Sequence, residues 1–98
     1  MKLEVCIDSY DSMISAVVAG ADRVEICSAL DLDGLTPSVG LVRLCEEFDI
    51  EKYVMIRPRP GHFTYDGLEI AQMKEEIMAF KDMNCLLYTS PSPRDATL

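Results

Sequence analysis

Residues 23–27 read Arg23-Val24-Glu25-Ile26-Cys27. Successive residues of a strand point to opposite faces, so Val24 and Ile26 take one side and Arg23, Glu25 and Cys27 the other. Two further runs share this parity. Upstream, Leu3, Val5 and Ile7 alternate with Glu4, Cys6 and Asp8; downstream, Val54 and Ile56 alternate with Met55 and Arg57. One face of the resulting sheet is aliphatic and suits a layer of helices. The other carries Glu4, Cys6, Glu25, Cys27, Met55 and Arg57. A doubly wound sheet has helices on both sides and prefers apolar runs throughout. So charged a face fits the inside of a barrel, near the mouth where the strands end and where barrel sites lie.

Helical patterns fill the gaps between these runs. Ser9 and Asp11 can cap a helix whose apolar face is Met13, Ile14, Val17 and Val18, with Gly20 as its stop. A loop over 28–36 leads to a second helix opening at Thr36-Pro37-Ser38, with Leu41, Leu44, Cys45 and Phe48 at helical spacing. Pro58, Pro60 and Gly61 force a loop. Asp66 and Glu69 form a capping-box pattern for a third helix with a buried stripe of Ile70, Met73, Ile77 and Phe80. The order β-α-β-α-β-α predicts a parallel sheet, with strands over 2–7, 23–27 and 52–57 adjacent in chain order. Right-handed crossovers then place every helix on one face. A complete barrel takes about 250 residues. The chain has 98, so the predicted class is α/β: the N-terminal three βα units of a (β/α)₈ TIM barrel, incomplete. With strand edges left open, such a piece is expected to be an unstable monomer that binds no metal tightly.

Composition narrows the function classes. Hydrophobic residues make up 49% and charged residues 27%, which places the chain among globular proteins and not disordered ones. No run reaches the roughly 18 apolar residues of a membrane span, so no membrane partner is expected. A net charge of −8 argues against a nucleic-acid partner, since such binding relies on Lys and Arg. Four Cys behind a start that lacks a secretory signal point to reduced thiols and a cytoplasmic location. No pair has Cys-x-x-Cys spacing, which removes zinc ribbons and thioredoxin-like motifs.

Four segments resemble one family. Leu3-Glu4-Val5-Cys6-Ile7-Asp8-Ser9 is similar to the first strand of the CutC copper-homeostasis proteins, and Gly20-Ala21-Asp22-Arg23-Val24-Glu25-Ile26-Cys27-Ser28 to their second. Gly34-Leu35-Thr36-Pro37-Ser38 resembles the loop that follows, and Val54-Met55-Ile56-Arg57-Pro58-Arg59 the third strand and its exit. The resemblance covers residues 1–84 and implies a (β/α)₈ barrel, in agreement with the parity. One departure is Pro60-Gly61-His62-Phe63, where the family usually has Gly-Gly-Asp-Phe; His62 stands in place of the Asp, so no family role is carried over to it. After Asn84 the chain departs altogether. Residues 85–98 resemble the conceptual translation of a transposase-type sequencing adapter, so they are expected to be a non-native tail. A short strand through Leu86-Leu87-Tyr88 is expected there from apolar character alone.

The candidate metal ligands are Cys6 and Cys27, near the ends of neighbouring strands on one face. Two thiolates on strands about 4.8 Å apart suit a soft ion such as Cu(I). The resemblance implies the same pair, with copper ion as the partner. The alternative for both is service as small buried hydrophobes. Glu4 and Glu25, expected one step below the cysteines, raise a thiol's pKa, and Arg57 opposes them. Met55 is either a thioether ligand or packing. Glu4, Glu25 and Arg57 are also the candidate catalytic residues of a barrel enzyme acting on a small anionic metabolite. Thr36 and Ser38 at a helix start, with Arg59 and His62 on the next loop, lie where an anion would sit. Against that stands a structural ion-pair network. Cys45, Met13, Met73 and Met78 read as helix packing, and Glu46, Glu47, Asp49 and Glu51 as a solvated helix end.

Overall fold

A computed structural model describes residues 2–83 and 85–89. The remainder of the expected tail lies outside the described residues. Strand β1 (Glu4–Ile7), helix α1 (Tyr10–Val18), strand β2 (Arg23–Ile26), helix α2 (Val39–Cys45), strand β3 (Glu51–Ile56), helix α3 (Gly67–Phe80) and strand β4 (Leu86–Thr89) follow in that order. The four strands form one parallel sheet in the order β1-β2-β3-β4. The expected strands and their adjacency are present, and the fourth strand falls on the apolar run at 86–89.

The helix boundaries follow from local chemistry. Ser9 caps α1, accepting from the Ser12 N–H while the Ser12 hydroxyl accepts from the Ser9 N–H. Gly20, at φ +82°, ends the turn behind α1 in the left-handed region that glycine enters without steric cost. Asp66 and Glu69 make the expected capping box at α3. The second helix starts later than expected. Ser38 is its N-cap, and Thr36 stays outside it. The Thr36 N–H and hydroxyl donate to the Arg57 carbonyl, and its hydroxyl accepts the Arg57 N–H at 2.8 Å. Thr36 therefore ties the β2–α2 loop to the end of β3, and its donors are not free for an anion.

All three helices cover one face. Ile7, Val24, Ile26, Val54 and Ile56 meet Met13 and Ala16 of α1, Val42 and Cys45 of α2, and Met73 and Phe80 of α3 in a single core. Six positions expected on buried helix faces lie outward: Ile14, Val17 and Val18 on α1, Leu44 on α2, and Ile70 and Met78 on α3. On α1 the buried residues are Met13 and Ala16, while Ile14 and Val17 are partly exposed and Val18 is 81% exposed. Ala16 lies three residues from Met13 on the side that meets the sheet, which turns Val18 away from it. Lys52 departs from the aliphatic pattern: it falls in parity with Val54 and Ile56, is buried, and donates through Nζ to the Ile50 carbonyl at 3.1 Å.

Candidate functional site

The helix-free face carries a second, smaller cluster in which Cys27 and Met55 are buried and Tyr53 packs against them. Cys27 continues the ladder beyond β2, its N–H donating to the Ile7 carbonyl at 3.0 Å. Its thiol also lies 3.5 Å from that carbonyl. Cys6 sits on the same face of β1, exposed, with its thiol donating to Glu25 Oε2 at 3.3 Å.

The strand register corrects one expectation. Cys6 stands directly opposite Glu25, and Glu4 opposite Arg23. Glu4 and Glu25 each lie one step below the cysteine of their own strand, but Glu25 is level with Cys6, so the carboxylates do not form a rung beneath a rung of cysteines. Cys27 lies two residues further along β2, so the two cysteines are diagonal neighbours. Such a diagonal separates positions by about 7–8 Å, wider than the lateral strand spacing.

The electrostatics keep both thiols protonated. Cys6 is pushed up to about 12, first by desolvation and then by its hydrogen bond to Glu25 and the Glu25 and Glu4 charges. Cys27 is likewise pushed up to about 12, chiefly by burial, with Cys6, Glu25 and Asp8 adding to it. Neither is a ready thiolate nucleophile.

The catalytic candidates do not converge. Glu4 pairs with Arg23 at 2.6 Å, and Arg23 in turn reaches Glu51 at 3.4 Å and lies over the Tyr53 ring. Glu25 is buried beside Cys6. Arg57 directs its guanidinium to three loop carbonyls: Nη1 to Leu32 at 2.8 Å and Gly34 at 3.1 Å, and Nη2 to Gly61 at 3.1 Å. Phe63 stacks on it, with the ring centroid 5.0 Å away. Arg59 is ion-paired with Glu69, whose carboxyl it holds below the usual range, and donates to the His62 carbonyl at 2.6 Å. His62 Nδ1 in turn accepts from the Thr64 N–H at 3.3 Å. Both loop residues are thus occupied in shaping their own loop.

Two contributors escaped the sequence reading. Tyr53 shares parity with Met55, and extending the strand-three alternation by one residue finds it. Gly34 closes the β2–α2 loop against the cluster, where a Cβ would meet Met55 Sδ at 2.9 Å. An Asp-Gly pair signals a turn, but not what the turn packs on. Among the described residues, no group of three or more His, Cys, Asp or Glu side chains is arranged to hold a metal ion. The donors that do share the face, two thiols and the Met55 thioether, are of the soft type that favours Cu(I). Among the described residues no helix is long and apolar enough to cross a membrane.

Comparison with known proteins gives a consistent result. The model of the CutC family matches residues 1–87. A CutC family protein of Aliivibrio fischeri is 49% identical over 82 residues, covering 83% of this chain and 33% of its own. A copper homeostasis protein CutC homologue of Caenorhabditis elegans is 51% identical over 79 residues, covering 79% of this chain and 32% of its own. A solved CutC structure from Streptococcus agalactiae superposes with a TM-score of 0.78 at 32% identity, covering 92% of this chain and 48% of that one. The chain spans about a third of the length of the curated relatives it matches.

Proposed function

The chain belongs to the CutC family, and from that premise we propose that it acts in copper homeostasis in the cytoplasm, with Cu(I) as its cargo and Cys6 and Cys27 as the ligands. The observation that carries this reading is the chemistry of the helix-free face. Two thiols occupy it, one exposed and one buried on Met55, and all four cysteines are free. Thiolate and thioether sulfur select Cu(I) over harder ions. The relatives' names support copper homeostasis as the setting. Because both thiols are held near 12, Cu(I) must displace a proton from each, so binding strengthens as pH rises.

A competition titration of Cu(I) against a chromophoric chelator, on the full-length protein that carries this sequence, tests the reading. Binding is expected to vanish when Cys6 and Cys27 are both changed to Ser, and to survive Glu25→Gln. Retained binding in the double variant overturns it.

The second reading is a barrel enzyme acting on a small anionic metabolite. One observation favours it: the buried Glu25 carboxylate lies within hydrogen-bond reach of a thiol. The Arg57 guanidinium, which would hold the anion, points to loop carbonyls instead. An enzyme reverses the variant pattern, with activity lost in Glu25→Gln and kept in the double Ser variant.

A further inference from the structure

We propose that Arg57 is a latch that holds the β2–α2 loop shut over Cys27, and that opening of this loop controls access to the buried thiol. The proposal rests on the preceding reading only for the identity of the ligand that passes. The closed loop itself is a matter of geometry.

Cys27 is 1% exposed although it lies on the face without helices, so something other than a helix must cover it. Met55 and Tyr53 pack beside it on the sheet, and the segment between β2 and α2 comes over it at Gly34. Ser28 and Leu35 pair across its base, their N–H groups donating to each other's carbonyls at 2.9 and 2.8 Å. The segment then folds back so that Gly34 rests on Met55 and Cys27. A Cβ at Gly34 would lie 2.9 Å from Met55 Sδ and 3.6 Å from Cys27 Cβ, and its φ of +92° independently favours glycine.

The loop reaches this position at a cost. Ala29 and Asp33, neither of them glycine, have φ of 49° and 68°. Left-handed backbone at such residues persists only where the surroundings impose it. Both residues cap a 3₁₀ turn over Leu30–Leu32, closed by the Leu32 N–H to the Ala29 carbonyl and the Asp33 N–H to the Leu30 carbonyl, and Arg57 adds the side-chain hold at its C-terminal end. One nitrogen, Nη1, donates to both Leu32 and Gly34 carbonyls, the two residues that flank strained Asp33. Nη2 joins the Gly61 carbonyl of the next loop, and Phe63 closes over the guanidinium. Arg57 is itself 4% exposed, which strengthens charge-assisted hydrogen bonds of this kind. Its Nε is buried without a hydrogen-bond partner among the described residues, so the closed arrangement leaves one donor unsatisfied. The Ser28–Leu35 pair and Thr36 fix the base of the loop, and its tip, with two left-handed non-glycine residues and a side-chain hold that is itself incompletely satisfied, is the part poised to open locally. Arg57 is thus a positioning residue, acting on Cys27 through the loop.

Cysteine labelling reads the latch directly, because the chain contains its own control. Cys6 is exposed, Cys27 is covered by the loop, and Cys45 is fully buried in the separate core beneath the helices. The full-length protein is pulsed with N-ethylmaleimide, and each cysteine's modification is followed by peptide mass spectrometry. In the unsubstituted protein Cys6 is expected to label first, Cys27 next by local opening, and Cys45 last by global unfolding. Low denaturant should accelerate Cys45 and leave Cys27 nearly unchanged. In Arg57→Gln the Cys27-to-Cys45 rate ratio should rise on the order of tenfold, with loss of the charge-assisted bonds. Arg57→Lys, which keeps the charge without the planar fork, should fall between the two. Gly34→Ala, which strains the loop at φ +92° and crowds the Met55 side chain, should raise the same ratio with Arg57 in place. Equal labelling of Cys27 and Cys45 in the unsubstituted protein, with the same denaturant dependence, overturns the latch even if Arg57→Gln fails to fold. An unchanged ratio in both folded variants overturns it as well. Labelling needs no copper, so a latch that opens in a protein that fails the Cu(I) titration separates this inference from the proposed function.

Discussion

Glu25→Gln tests the coupling between the buried carboxylate and the exposed thiol. The Cys6 S–H donates to Glu25 Oε2 at 3.3 Å, and Glu25 adds to desolvation in lifting Cys6 from 9.0 to about 12. The amide keeps the shape and can still accept a hydrogen bond, but it removes the negative charge. A hydrogen bond to a charged group is worth about 1.5–3 kcal/mol, and about 1.4 kcal/mol corresponds to one pKa unit. Cys6 is exposed, so solvent screening favours the lower end. The Cys6 thiol should therefore titrate about one unit lower, with desolvation holding it above its ordinary value. Thiolate at pH 8 then rises about tenfold, while its nucleophilicity drops with a Brønsted slope of about 0.4–0.5. The net expectation is roughly a threefold faster alkylation of Cys6. Ultraviolet thiolate absorbance against pH gives the titration, and pulsed alkylation gives the rate, with Cys45 as the unaffected reference. An unchanged or higher Cys6 titration in a folded variant refutes the assignment of Glu25 as the charge that acts on Cys6.

The other expectations concern stability. Asp66→Ala removes the N-cap of α3 and leaves the Glu69 N–H without its acceptor; it should cost about 1 kcal/mol in urea unfolding, with no change in Cu(I) binding. Cys27, whose thiol is raised from 9.0 to about 12 by burial, contributes stability that is fully present below about pH 9 and is lost as pH climbs towards 12. The melting temperature should accordingly fall between pH 8 and 10.5, and fall less in Cys27→Ala; equal falls contradict the burial argument. The 98-residue chain by itself should give a broad thermal transition and associated species in size-exclusion chromatography. Among the described residues β1 and β4 each pair on one side only, and Val18 and Leu68 are 81% and 85% exposed. A sharp transition from a monomeric peak counts against that expectation.

Parity made the sheet legible. Alternation in three short runs separated the helix face from the other, because a strand commits each residue to one side or the other. Capping chemistry at Ser9 and Asp66 was legible for the same reason: side-chain oxygen meets unpaired N–H groups within a few residues. Register was not legible. Parity is unchanged when one strand slides two residues past another, so it cannot distinguish Cys6 opposite Cys27 from Cys6 opposite Glu25. Arg57 shows the other limit. Its position after β3 suggested a cation beside the carboxylates, but its partners are carbonyls at Leu32, Gly34 and Gly61, contributed by loop backbone. Backbone acceptors carry no mark in a sequence. The outward turn of Val18 and Ile70 is of the same kind, since an apolar stripe wider than the sheet can cover leaves its margin exposed.

X-ray absorption at the copper edge, on the full-length protein loaded with one equivalent of Cu(I), tests the central claim most directly. The account predicts a first shell of sulfur alone, which loses sulfur in Cys6→Ser and again in Cys27→Ser and is unaltered in Glu25→Gln. A shell of nitrogen or oxygen donors, or a sulfur shell that survives loss of both cysteines, would contradict it.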